Sequence, residues 1–204
     1  MTVSVVVEGD TDIPFVRKLA LDARLEIDTT IDSNGKTEID RLLGAYNAAA
    51  KGSPWFVLRD LDRDSPCAAD FLRSIKFAPA TWMCFRIAER EVESWLLADH
   101  DAVRSFFRPS VQIPSDPDIL TDPTQALVNL ARSSTNSRIR RAMVPRAGMN
   151  IAVGELYEAT VIEFGTRHWD LDRACTRSSS LRRARARLRE LGNRWRRHVR
   201  GRDA

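Results

Sequence analysis

Val3-Ser-Val-Val-Val-Glu8-Gly9-Asp10-Thr11-Asp12 decides how this chain is read. A short, mostly β-branched run that ends in an acid and a glycine is the pattern of a strand buried on both faces, as in a parallel sheet. Gly9 lets the backbone turn sharply beside Glu8. Reading outward, a helix is predicted from Ile13 to Ala23, with Asp10, Thr11 or Asp12 as its N-cap. A second strand spans Leu25 to Ile31, and a helix runs from Lys36 to about Lys51 with Ile39, Leu42, Leu43 and Tyr46 on one face. Trp55 to Leu58 is a third strand that runs straight into Arg59-Asp60-Leu61-Asp62-Arg63-Asp64. A helix over 66–75, a fourth strand from Thr81 to Ile87 and a long helix from Ala88 to Phe107 follow. Strands alternating with helices imply βαβ crossovers, so the predicted fold class is α/β, a parallel sheet flanked by helices. Residues 1–108 form that unit. Residues 109–204 form a helical extension that opens with a Pro/Asp-rich loop over 109–123.

Composition narrows the function classes. With 204 residues, 43% of them hydrophobic and 29% charged, the chain reads as a globular protein with a sizeable core. No apolar run approaches the ~20 residues of a membrane span, and the acid at Glu8 makes the amino end a strand rather than a signal peptide. Three cysteines without a CxxC pair argue against a disulfide framework or a thiolate zinc site and fit a reducing cytoplasm. The three scattered histidines leave carboxylates as the ligands for any metal. Of the 32 basic residues 28 are arginine, and twelve of these lie in residues 173–204 against Glu190 and Asp203. An acidic body with a basic tail points to a polyanionic partner, nucleic acid first.

In a parallel α/β sheet, ligands sit beyond the carboxyl ends of the strands. Glu8 lies at the end of the first strand, Asp60 and Asp62 at the end of the third, and Asp64 extends that row. Residues two apart on extended chain point the same way, so Asp60 and Asp62 are expected to face one side. Asp12 sits over the same edge, and Glu89, Glu91 and Glu93 open the helix after the fourth strand. Taken singly, each also reads as a turn residue, a cap or a partner of Arg86 or Arg90. Gathered on one rim, they cannot all stay ionised without a cation, and oxygen-only ligands select hard ions such as Mg²⁺ or Mn²⁺.

The ordered set Val-Val-Val-Glu8-Gly9 and Val-Leu-Arg-Asp60-Leu-Asp62 resembles the Toprim domain of topoisomerases, primases, OLD-family nucleases and small stand-alone bacterial proteins. Val7-Glu8-Gly9-Asp10-Thr11-Asp12, Asn34-Gly35-Lys36 and Arg90-Glu-Val-Glu93-Ser-Trp95-Leu are similar to the OLD-type branch. The resemblance covers residues 1–100; from Gly154 to Leu191 it is looser. It implies a Mg²⁺- or Mn²⁺-dependent nuclease with two ions, used in phage defence or DNA repair. Glu8, Asp60 and Asp62 would be catalytic, with Asp12, Asp64 and Glu93 as further ligands. Lys36, Arg59, Arg63 and Arg146 are candidates for the basic residue that OLD-type enzymes use. The separate domains of topoisomerases and primases do not fit in the remaining length, and no Gly-x-x-x-x-Gly-Lys-Ser/Thr loop is present. Any ATPase would therefore be a separate chain. The alternatives are a non-catalytic nucleic-acid-binding subunit and a hydrolase of a small phosphorylated metabolite; a homodimer through a sheet edge is a further expectation.

From Ser178 onward, Leu181, Ala184, Leu188, Leu191, Trp195 and Val199 recur at intervals of three and four, one apolar stripe on a helix. Arginine covers the other faces. Arg182, Arg183, Arg187, Arg194 and Arg197, with Lys36, are the expected nucleic-acid contacts. The five tryptophans and His168 read as structural.

Overall fold

The computed structural model describes residues 1–201. Four strands, β1 (Thr2–Val7), β2 (Glu26–Asp32), β3 (Trp55–Asp60) and β4 (Met83–Ala88), form one sheet in the order β2-β1-β3-β4 with every pairing parallel. The crossovers are α1 (Ile13–Asp22), α2 (Lys36–Ala49) and α3 (Ala68–Ser74). After β4 come α4 (Glu93–Ala98), α5 (His100–Phe107), α6 (Pro123–Arg132), α7 (Ser137–Met143), α8 (Tyr157–Arg167), α9 (Leu171–Cys175) and α10 (Ser179–Arg200). Central β1 and β3 are almost continuously apolar because both faces are covered, whereas edge strand β2, Glu-Ile-Asp-Thr-Thr-Ile-Asp, is largely exposed.

Alternation along the strands divides the core into two layers. Val6, Val57, Phe85 and Ile87 pack on α2 and α3. Val5, Val7, Phe56, Leu58 and Cys84 face the other way. That second cluster runs without a break from the strands through Leu127, Phe164 and Trp169 to Leu181, Leu188 and Leu191. The helices beyond residue 108 thus share one apolar layer with the sheet.

One long helix from Ala88 to Phe107 does not form. β4 extends through Ala88, Arg90 turns into left-handed backbone at φ 67°, and the remaining helix is cut in two at Asp99. Asp99 is fully buried and caps α5, its Oδ1 accepting from the Ala102 N–H at 3.2 Å. Its Oδ2 accepts from the Asp170 N–H at 2.8 Å, and Arg173 donates to both oxygens at 2.8 Å. A buried carboxylate has to collect donors, and a straight helix through Asp99 would leave it with none of these.

Helix α10 keeps the predicted stripe, with Leu181, Ala184, Leu188 and Leu191 buried. It runs antiparallel to β4. The Ser180 Oγ accepts from the Glu89 N–H (3.3 Å) and Trp95 Nε1 (2.5 Å) just past the carboxyl end of β4, and Arg194 Nη2 donates to the Thr81 carbonyl (2.9 Å) just before its start. Asp118, in the loop before α6, sits on the amino end of α10 and accepts from the Ser178 and Ser179 hydroxyls and the Ser180 N–H. There its charge also meets the positive end of the helix. Asp22, at the end of α1, accepts from both Arg185 and Arg189.

Burial alone would raise the Asp22 carboxyl above its ordinary 3.8, but the two guanidinium partners outweigh burial and hold it down to about 2. A carboxyl held low stabilises the fold fully above its unfolded value and loses that contribution as pH falls toward 2. Asp22→Asn is therefore expected to destabilise the chain by about 1–2 kcal/mol at pH 7, read by urea unfolding. The gap between variant and parent should narrow below pH ~4 and close near pH 2.

Candidate functional site

Because all four strands are parallel, their carboxyl ends share one edge, and the acids cluster there. Asp60 is the hub. Its backbone N–H donates to Glu8 Oε1 at 2.7 Å. Its own Oδ1 is sealed from solvent and has no hydrogen-bond partner. Burial first, and then the charges of Asp12, Glu8, Glu93 and Asp62, push the Asp60 carboxyl well above the usual carboxylate range.

Asp12 does not cap α1 with its side chain. It lies in a 3₁₀ turn, buried, and reaches back so that its Oδ2 accepts from the Glu8 N–H at 3.2 Å. Burial, Glu93 and Glu8 push it up to about 8. Glu8 is pushed up to about 7, by burial first, opposed by the Asp60 N–H and reinforced by the Asp62 charge. Glu93 is also raised by burial and by Glu91, and its Oε1 accepts from the Tyr157 hydroxyl at 2.9 Å. Glu93 is therefore held inward, not on a wet helix face beside Arg90. Glu91 Oε2 accepts from the Thr124 N–H and hydroxyl at 2.9 and 2.7 Å. Glu89 instead meets Arg183 at 3.4 Å.

The second half of the rim is built differently. β3 ends at Asp60 and Asp62 adopts left-handed backbone at φ 46°, so strand alternation does not carry past Asp60. Asp60 and Asp62 consequently have different surroundings rather than a common side. Lys36, in the first turn of α2, bridges Asp62 Oδ2 at 2.7 Å and Asp64 Oδ1 at 2.9 Å. Arg59, 2% exposed, points to the opposite face of β3 from Asp60. It grips Asp40 with two bonds of 2.8 Å and Asp64 with one of 2.6 Å, its guanidinium over the Phe71 ring. The loops after β3 and β4 brace one another, the Asp62 N–H donating to the Arg90 carbonyl (2.8 Å) and Arg90 Nη1 to that of Asp62 (2.7 Å). This reciprocal pair supports two left-handed residues of which Arg90, with its long side chain, is the more strained. An open cleft of about 390 Å³ lies over Lys36, Asp62, Asp64, Glu91 and Asp122.

Among the described residues, no three acids stand grouped to hold a metal ion as they are. The chemistry of the donors nevertheless fits a hard cation at Asp60. Its unpartnered buried oxygen lacks a positive neighbour, and Glu8, Asp12 and Glu93 bring further oxygens close enough to raise it. Asp62, expected to hold one of two ions with Asp60, and its expected supplement Asp64 already hold Lys36, and Asp64 also holds Arg59. Of the other basic candidates, Arg63 borders the cleft and Arg146 pairs with Glu155.

The predicted arginines separate along α10. Arg183 stands near the rim through Glu89, with Arg182 one residue before it. Arg187 pairs with Glu190 partway along, and Arg194 and Arg197 lie toward the far end of the sheet. Lys36 belongs to the rim itself. Tyr157 and Thr124, which orient Glu93 and Glu91, carry no local signal; the fold brings them in from more than thirty residues away. No protein-family model, curated protein or solved structure matches the chain.

A ligand that binds only the folded chain stabilises it, by about 2.7 kcal/mol at a hundredfold excess over Kd. Mn²⁺ is expected to raise the melting temperature by several degrees at pH 8 and to leave Asp60→Asn unmoved. An equal rise in both proteins would rule out Asp60 as a ligand.

Proposed function

We propose that the chain is a divalent-metal-dependent phosphodiesterase acting on nucleic acid, with its centre at Asp60. The carrying observation is the sealed, unpartnered Asp60 Oδ1 among Glu8, Asp12 and Glu93 at the ligand-binding edge of a parallel sheet. The Toprim resemblance of the same residues supports it. Asp60, Asp12, Glu8 and Glu93 would hold Mg²⁺ or Mn²⁺, which when bound neutralises charge at phosphorus and acidifies water. Glu8, which accepts from the Asp60 N–H, would be held ionised by the bound cation and would serve as its ligand. Lys36 offers an ammonium on the cleft side of the same edge, where a phosphate oxygen can replace Asp62 or Asp64 as its partner. Tyr157 orients Glu93, and the paired loops after β3 and β4 keep the rim rigid.

The arginine helix supplies the nucleic-acid surface in this reading. From Ser180 to Arg194 it covers about 21 Å at 1.5 Å per residue, comparable to about six base pairs of duplex. A bound strand would run from the rim past Arg183 and Arg187 toward Arg197. The Lys36 bridge over Asp62 and Asp64 favours a second reading, a binding subunit that works beside a separate ATPase and does not cut.

The deciding experiment is incubation of plasmid, single-stranded DNA and RNA with purified chain in Mg²⁺, Mn²⁺ or EDTA, beside Asp60→Asn. Metal-dependent cleavage is expected, lowered at least about a hundredfold in the variant, with binding retained. Salt-sensitive binding without cleavage in any metal would establish the second reading instead. Under either reading, Arg183→Gln with Arg197→Gln should weaken binding and flatten its salt dependence by about one counterion per lost contact.

A further inference from the structure

β4 is an edge strand, paired only with β3, and its outer side forms the floor of a groove of about 340 Å³. One wall is apolar, built from Leu72 of α3 and Phe77 and Pro79 in the segment leading to β4, with Phe85 beneath. Phe77 and Phe85 meet edge to face, ring centroids 5.2 Å apart. The other wall is cationic: Arg86 from the strand, and Arg187 and Arg194 from α10.

These cations are poorly matched by the protein. The Nε atoms of Arg86 and Arg194 are both sealed from solvent and have no hydrogen-bond partner. Among the described residues no carboxylate lies within 4 Å of the Arg86 guanidinium, and the lone acid lining the groove, Glu190, is engaged by Arg187 at 2.8 Å. Arg194 donates its Nη2 to the Thr81 carbonyl and lies over the Trp82 ring. Burial first, and then the charges of Arg183 and Arg187, weaken the hold of Arg86 on its proton, opposed by Cys84. A crowded carboxylate can relieve such a position by protonating. A guanidinium cannot relieve it by losing a proton at any physiological pH, so an anion in the groove would match it. Planar N–H forks of this kind match the oxygens of a phosphate.

We propose that this groove binds a phosphate monoester carried on a flat apolar body, the chemistry of a nucleoside monophosphate. Arg86 and Arg194 take the phosphate, and Phe77, Pro79 and Phe85 take the base. The volume lies at the small end of ligand pockets, and the site stands apart from the carboxylate rim and does not depend on metal there. The nucleotide can be free, or it can be the phosphorylated end of a strand.

Calorimetric titration of the full chain in EDTA tests this with adenosine monophosphate, adenosine, inorganic phosphate, and an oligonucleotide with or without a 5′-phosphate. Adenosine monophosphate should bind with a Kd below about 1 mM, at least about tenfold tighter than adenosine or phosphate alone. Arg86→Gln and, independently, Arg194→Gln should each weaken it by about tenfold or more, and Phe77→Ala should weaken it less. Competition by the 5′-phosphorylated oligonucleotide alone would identify a strand end as the ligand; competition by neither oligonucleotide would identify the free nucleotide. Without nucleotide, Arg86→Gln should melt no lower than the parent, because it removes an unmatched charge. Absent saturation by adenosine monophosphate, or unchanged affinity in both arginine variants, would overturn the proposal.

Discussion

Parallel strands in one sheet must all finish on the same edge, and in this chain three neighbouring strands deliver an acid to that edge. Glu8 follows β1, Asp60 ends β3, and Glu93 opens the helix after β4. The geometry forces like charges together whether or not the local sequence would favour it. The fold answers the resulting repulsion in two ways. Around Asp62 and Asp64 it supplies cations, Lys36 and Arg59. Around Asp60 and Asp12 it supplies burial and like charge, which leaves Asp60 Oδ1 unpartnered. The difference follows from alternation along β3, which sends Arg59 into the α2–α3 layer and Asp60 toward α1 and the later helices. A single strand end thus makes one balanced half of the rim and one unbalanced half, and the proposed metal centre lies in the unbalanced half.

The same contrast governs the arginine helix. Its apolar stripe is absorbed by the sheet. Arg185 and Arg189 are absorbed by Asp22, and the amino end is absorbed by Asp118. What remains is a row of exposed guanidiniums along the helix, with Arg194 of the helix and Arg86 of β4, each with its Nε sealed, lining the groove beside β4. The antiparallel run of α10 along β4 places these groups at graded distances from the carboxylates, so the basic tail is a track that leads away from the rim and does not converge on it.

Asp99 shows how a buried acid shapes the fold. It interrupts what periodicity alone would make one helix, and it draws α5, the start of α9 and Arg173 to a common point. Two of its donor residues, Asp170 and Arg173, lie about seventy positions downstream. The first turn of α6 likewise holds Thr124 beside Glu91, and the start of α8 presents Tyr157 to Glu93.

What the sequence determined by itself was whatever depends on neighbours within a few residues. A β-branched run marked β1, alternation marked β2, and short apolar stretches marked β3 and β4. Their alternation with helical stretches implied a parallel sheet, and three-and-four spacing marked the buried face of α10. Glu8, Asp12, Asp60, Asp62, Asp64 and Glu93 were placed on one edge because the carboxyl ends of parallel strands have no other place to go. Only the tertiary structure decided which of those acids is balanced and which is not. Lys36, Arg59, Tyr157 and Thr124 reach their carboxylates across intervals that no local pattern spans, and left-handed backbone at Asp62 breaks the alternation that extended chain would have imposed. The groove beside β4 was hidden for the same reason. Arg86 and Arg194 are ordinary arginines in the sequence, and they become unmatched charges only when a helix from the far end of the chain closes over an edge strand.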